Sequence, residues 1–152
     1  MRKLTLLLLI TLGGCSPNRV ALITQPNRVL YTSTDINQIS TIDSITRIRS
    51  SGFLTAKNLK FTLRNGERKT IPKKTIWGYS DRKGNVWRCF KNTNYQVLSI
   101  KDVVEYETTE PRTVGPSMVI YEPIRKYSKT LDSRIVGSRK RAIRIGEGSE
   151  TK

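Results

Sequence analysis

The chain has 152 residues, a single-domain length, with 28 Lys and Arg against 12 Asp and Glu, for a formal charge of +16. It has no histidine and two cysteines, Cys15 and Cys89. That excludes Ser-His-Asp and Cys-His nucleophilic systems and leaves no Cys/His set for zinc. The charge excess points to anionic partners (lipid phosphates, lipopolysaccharide, cell-wall carboxylates or nucleic acid), or else to solubility alone.

Arg2 and Lys3 precede an apolar run, Leu4 to Leu12, followed by Gly13, Gly14 and Cys15. A charged start, a short apolar middle and a small-residue end make the layout of a secretory signal peptide. The run of about nine residues is too short for a membrane-spanning helix, which needs roughly twenty. The alternative is a buried N-terminal element that ends in Gly-Gly-Cys. Leu12-Gly13-Gly14-Cys15 resembles the lipobox of bacterial lipoproteins. The resemblance implies cleavage after Gly14 and several acyl chains on Cys15, so that membrane lipid is the first partner. Ser16 follows where lipoproteins retained at the inner membrane carry an aspartate, which points to the outer membrane, facing the periplasm. Nucleic acid is then not expected as a partner. Removing Arg2 and Lys3 from +16 leaves +14 on residues 15–152. With Cys15 lipidated, Cys89 has no intramolecular partner and reads as a small buried hydrophobe in Val86-Trp87-Arg88-Cys89-Phe90.

Residues 15–34 read as a tether or first hairpin, with extended pieces at Arg19–Ile23 and Arg28–Tyr31 around a Gln25-Pro26-Asn27 turn. Isoleucine then recurs every third residue at Ile36, Ile39, Ile42, Ile45 and Ile48. That spacing fits neither a helix nor a strand cleanly. β-branched neighbours favour strand pieces with a bend, and a short helix from Asp35 is the alternative. Leu59–Arg64 alternates apolar and basic, and Asn65-Gly66 predicts a two-residue hairpin turn into Glu67–Ile71, ended by Pro72. Further strands are predicted at Thr75–Tyr79, Val86–Lys91, Tyr95–Ile100 and Val103–Thr108. Their turns fall at 81–85, 92–94 and 101–102. Residues 110–116 read as a loop and Ser117–Tyr121 as a last strand bounded by Pro123. The predicted fold is therefore mainly β: a single small antiparallel meander over 35–123, open or closed into a small barrel, with a basic C-terminal tail. That tail, 124–152, is loosely patterned, and its last residues from Gly146 read as disordered.

The candidate sites follow from charge and aromatics. Trp77, Tyr79 and Trp87, with Tyr95 nearby and flanked by Lys73, Lys74, Arg82 and Lys83, form either a platform for sugar rings or a cross-strand aromatic core. Lys73, Lys74, Arg139, Lys140 and Arg141 are candidate contacts to an anionic surface. The Arg139–Arg141 cluster, with Arg134 and Arg144, reads equally as a solvated tail. Glu105, Glu107 and Glu110 are the main acidic stretch. Paired carboxylates about 7 Å apart on one strand face suit a glycosidase only across a cleft, and a solvated edge is the plainer reading. The segment Ile71–Arg88, with Tyr127–Ser133, is similar to small uncharacterised bacterial cell-envelope proteins, which implies a β-rich fold without a catalytic signature. No catalytic residue, metal or cofactor is expected. The functional expectation is a non-enzymatic lipoprotein with a structural or binding role at the envelope, against anionic polymers or an envelope protein. A subunit of a secretion or transfer machine, or a cell-wall hydrolase, are the rivals.

Overall fold

In the computed structural model, residues 22–38, 45–50 and 56–147 are described. Cys15 and Gly14, the Arg19–Ala21 part of the first expected strand, and the isoleucines at 39 and 42 lie outside them. The fold is mainly β, built from two antiparallel sheets and not closed into a barrel. Among the described residues nine strands run in order: β1 (Val29–Leu30), β2 (Ile45–Ser50), β3 (Asn58–Leu63), β4 (Arg68–Pro72), β5 (Gly78–Ser80), β6 (Val86–Phe90), β7 (Thr93–Ile100), β8 (Val104–Val114) and β9 (Met118–Ser128). One helix, α1 (Arg139–Glu147), follows. β1-β5-β6-β7-β8-β9 form the large sheet and β2-β3-β4 the small one. The expected single meander is thus split, because β2–β4 pair only with one another and leave β1 to join β5.

The pleat assigns every side chain to a face. One cross-strand row of the large sheet is Val29, Tyr79, Trp87, Gln96, Glu107 and Arg125. At its β1–β6 end, this face packs on the inner face of the small sheet. Val29, Leu59, Ile76 and Tyr79 are buried there against Ile48, Phe61, Ile71, Trp87 and Cys89. The opposite face carries Leu30, Val86, Val97, Val104 and Tyr106, covered by Ile36, Leu131 and Ile135. A third, small cluster seats α1 through Ala142 and Ile143 on Val103, Tyr127 and Val136.

Arg88 is buried in the second of these layers without a carboxylate. Its guanidinium donates to the Tyr106 hydroxyl at 3.0 Å and to the carbonyls of Ser133 and Asp132 at 2.9 and 3.2 Å. It also lies 5.1–6.0 Å from the ring centres of Phe90, Tyr106 and Trp77. Carbonyl dipoles and π faces replace the hydration that burial removes, and they tie the segment after β9 to the sheet.

Turn chemistry departs from expectation in two places. At Asn65-Gly66 only Gly66 has a positive φ (85°), and the hairpin closes through three residues, with Leu63 N–H bonding Glu67 O at 2.8 Å. A single left-handed glycine is the signature of a three-residue loop with a bulge. The two-residue turn with both φ positive forms instead at Lys91 (50°) and Asn92 (64°), between the paired Phe90 and Thr93. Asp35 sits in a 3-10 turn, Ser33–Asn37, where its carboxylate accepts from the Thr32 and Tyr31 N–H groups. Of the expected 35–48 stretch, the structure thus shows a short 3-10 turn over 33–37 and strand from Ile45 to Ser50, while 39–44 lie outside the described residues. A second 3-10 turn, Lys73–Thr75, occupies the start of the expected 75–79 strand.

The largest correction concerns residues 110–128. The expected loop is strand, and β8 and β9 pair continuously from Val104↔Ser128 to Val114↔Met118, through Pro111 and Pro123. β7 pairs with β8 only as far as Glu107, so beyond that point the hairpin is a two-stranded arm. Proline survives here because each faces a non-proline partner, Tyr121 or Thr109, and its missing N–H points away from the ribbon. Both outer edges of the arm thereby lack a donor where an added strand would need one. Residues 124–128, expected in the basic tail, complete β9, and Arg139–Glu147 is helical.

Candidate functional site

The small sheet has an inner apolar face and an outer face of different character. Along β2, Arg47 and Arg49 alternate with Ile48, and along β3, Lys60 and Thr62 alternate with Leu59 and Phe61. Pairing places these residues in two cross-strand rows: Arg47–Thr62–Arg68 and Arg49–Lys60–Thr70. Strands lie about 4.8 Å apart and alternate residues about 7 Å apart. Four cations and two hydroxyls thus occupy a patch of roughly 10 by 7 Å. They line a shallow open groove of about 280 Å³. All except half-buried Thr62 are exposed.

No carboxylate among the described residues pairs with Arg47, Arg49, Lys60 or Arg68. The neighbouring Glu67 contacts Lys69, at 3.5 Å. Arg49 stands directly opposite Lys60, an arrangement of like charges that destabilises a sheet. A face that keeps such a pair without a counter-ion among the described residues is suited to an external anion.

The acids are elsewhere and engaged. Arg125 bridges Glu105 and Glu107 at 3.1 and 3.3 Å, Lys126 reaches Glu110 at 2.8 Å, and Arg112 reaches Glu122 at 3.3 Å. Glu105 and Glu107 share one cation on an open sheet face, an ion-paired edge rather than a pair set across a cleft. Among the described residues, no three His, Cys, Asp or Glu side chains gather to hold a metal ion. No helix there is long and apolar enough to cross a membrane.

The other sequence-predicted residues fall in different places. Lys73 is 2% exposed, so it is not a surface contact. Its chain reverses direction in the 3-10 turn after β4, which carries the side chain inward toward Cys89 while Lys74 stays exposed. Burial pushes the Lys73 ammonium below its usual range, against the opposing pull of Cys89. Burial likewise raises the Cys89 thiol to about 11, although the Lys73 charge holds it down in part. Arg139, Lys140 and Arg141 are exposed in the first turn of α1, with Arg139 held by Asp102 at 3.2 Å. Cations at a helix N-terminus oppose the helix dipole.

The expected aromatic platform is divided between two faces. Tyr79 and Trp87 stack across β5 and β6 with ring centres 6.3 Å apart, but between the sheets, where Tyr79 is buried. Trp87 is fixed by a hydrogen bond from its Nε1 to Asp81 at 3.1 Å. Trp77 packs on the opposite face and donates to the Leu131 carbonyl at 3.2 Å. The cross-strand core reading therefore describes these rings.

Sequence reasoning noted the apolar–basic alternation of 59–64 but did not join it to Arg47, Arg49 and Arg68. The period-two spacing of cations on three consecutive strands was the available signal. The chain matches no family model, no curated protein and no solved structure.

Proposed function

We propose that this chain is a lipid-anchored, non-enzymatic envelope protein that binds an anionic component of the cell surface through the outer face of β2–β4. Cys15 carries the lipid, after cleavage behind Gly14, and the folded domain faces the periplasm from the outer membrane. The anchor rests on the lipobox resemblance at Leu12–Cys15.

The observation that carries the binding role is charge segregation. Arg47, Arg49, Lys60 and Arg68 stand together on the outer face of β2–β4 with no carboxylate partner among the described residues, while Glu105, Glu107, Glu110 and Glu122 lie on β8 and β9, each paired with a cation. A charge that served solubility alone would have no reason to collect, unneutralised, on one sheet face.

The test is fractionation of cells expressing wild type, Cys15→Ala and a variant with Arg47, Arg49, Lys60 and Arg68 all changed to Ala. Wild type is expected in the membrane fraction and Cys15→Ala outside it. The four-alanine protein should stay anchored but lose salt-sensitive retention of the anionic component. Cys15→Ala remaining in the membrane fraction without lipid refutes the anchor.

A further inference from the structure

We propose that the two rows on the outer face of the small sheet form a binding site for a membrane headgroup carrying two phosphates, one phosphate to each row. This rests on the anchored, anion-binding reading above and names the ligand class for it.

Each row offers three donors side by side. In Arg47–Thr62–Arg68, two guanidinium forks flank a hydroxyl; in Arg49–Lys60–Thr70, a fork, an ammonium and a hydroxyl follow in order. A terminal phosphate presents three acceptor oxygens, which suits three neighbouring donors, whereas a carboxylate presents two. Three of the four cations are arginine, whose planar fork matches an oxyanion with two parallel bonds.

The charge count agrees. A phosphate monoester carries about −1.5 to −2 near neutral pH, so two phosphates balance four cations, where two carboxylates would leave half of them unpaired. The rows lie about 7 Å apart, so the two phosphates would belong to one molecule. The groove of about 280 Å³ lies on the exposed outer face of the sheet, which admits a headgroup whose acyl part lies outside.

The route of the chain favours a lipid as the source. From Cys15 to Leu22 the backbone reaches at most about 25 Å. The segment then meets the small sheet: the Asn27 side-chain amide donates to the carbonyl of Thr46, next to Arg47, at 3.2 Å. A lipid on Cys15 would therefore keep this face within reach of the surrounding headgroups.

The test uses the full-length protein in micelles of a neutral detergent, followed by calorimetry. One titration adds micelles doped with diphosphoryl lipid A, whose two phosphates are monoesters, a second adds monophosphoryl lipid A at equal total charge, and a third adds free inorganic tripolyphosphate. The diphosphoryl form is expected to bind at least tenfold tighter than the monophosphoryl form. Removing Arg47 and Arg68 together should abolish that preference, and Arg112→Ala on the arm should leave it intact. Equal affinity for the two lipids overturns the two-phosphate site while leaving general anion docking in place. Tight tripolyphosphate binding with no binding of diphosphoryl lipid A overturns the lipid as source. No binding to any of the three at low salt overturns this site and the anionic-docking reading together.

Discussion

Replacing Lys73 by Met should stabilise the protein at neutral pH. The ammonium is 2% exposed, and its Nζ has no hydrogen-bond partner. Cys89 of β6 lies close enough to interact with its charge. Methionine keeps the unbranched stem and most of the volume while removing the charge. Relieving one buried, unsatisfied polar group is worth about 1–3 kcal/mol. A gain of about 2 kcal/mol raises Tm by roughly 4–8 °C in a domain of this size. The pH dependence gives an independent check. Lys73 has a folded-state pKa below 10.5, so the unfolded chain binds more protons in the window beneath that value. Wild-type stability therefore gains from this group as pH rises through the window. Cys89 acts in the opposite sense. Its thiol, raised from 9.0 to about 11, stays protonated in the fold while the unfolded chain ionises, so stability falls across that interval. Lys73→Met should remove the first slope and keep the second, making the alkaline loss steeper. Thermal unfolding followed by circular dichroism from pH 6 to 10.5 measures both. A lower Tm for Lys73→Met at pH 7 would mean that the ammonium is satisfied in solution, and the reasoning would fail.

Three further outcomes are expected. A Cβ at Gly78 would lie 2.1 Å from the Trp87 carbonyl oxygen; because that neighbour is backbone, Gly78→Ala should cost on the order of 3 kcal/mol or more in urea unfolding, and a loss below about 1 kcal/mol contradicts the packing of β5 on β6. Arg88→Met removes three charge-assisted hydrogen bonds and should cost about 3–5 kcal/mol. It should also speed hydrogen exchange in residues 130–135, and unchanged exchange there would show that Arg88 does not hold that segment. Burial opposes ionisation of Asp81, yet hydrogen bonds from Asn85, Trp87 and the Lys83 and Asn85 backbone outweigh it and hold its pKa below 3.8. Its stabilisation is thus present above about pH 4 and lost as pH falls through the lowered value. Asp81→Asn should be less stable at pH 7 and show a shallower acid limb; an acid limb identical to wild type would exclude Asp81 from it.

Several features could be read from residues alone because they depend on neighbours in the chain. Alternation along Leu59–Arg64 and the apolar run Val86–Phe90 set strand pairing, since side chains two apart share a face. The lipobox resemblance at Cys15 is likewise a local pattern. Other features depended on partners far away in sequence. Arg47, Thr62 and Arg68 become one row only when three strands align. Residues 110–128 read as loop and tail because Pro111, Gly115, Pro116 and Pro123 punctuate them. Yet the continuous β8–β9 ladder overrides that signal once each proline's missing donor faces outward. Lys73 and Lys74 are adjacent and chemically alike, and only the 3-10 turn after β4 sends one into the core and leaves the other in solvent. The amino-acid order determined the strand pattern of residues 59–108 and the excess of positive charge, both set by the residues and their covalent neighbours. Tertiary structure decided which cations stand together, because proximity across a sheet is set by register.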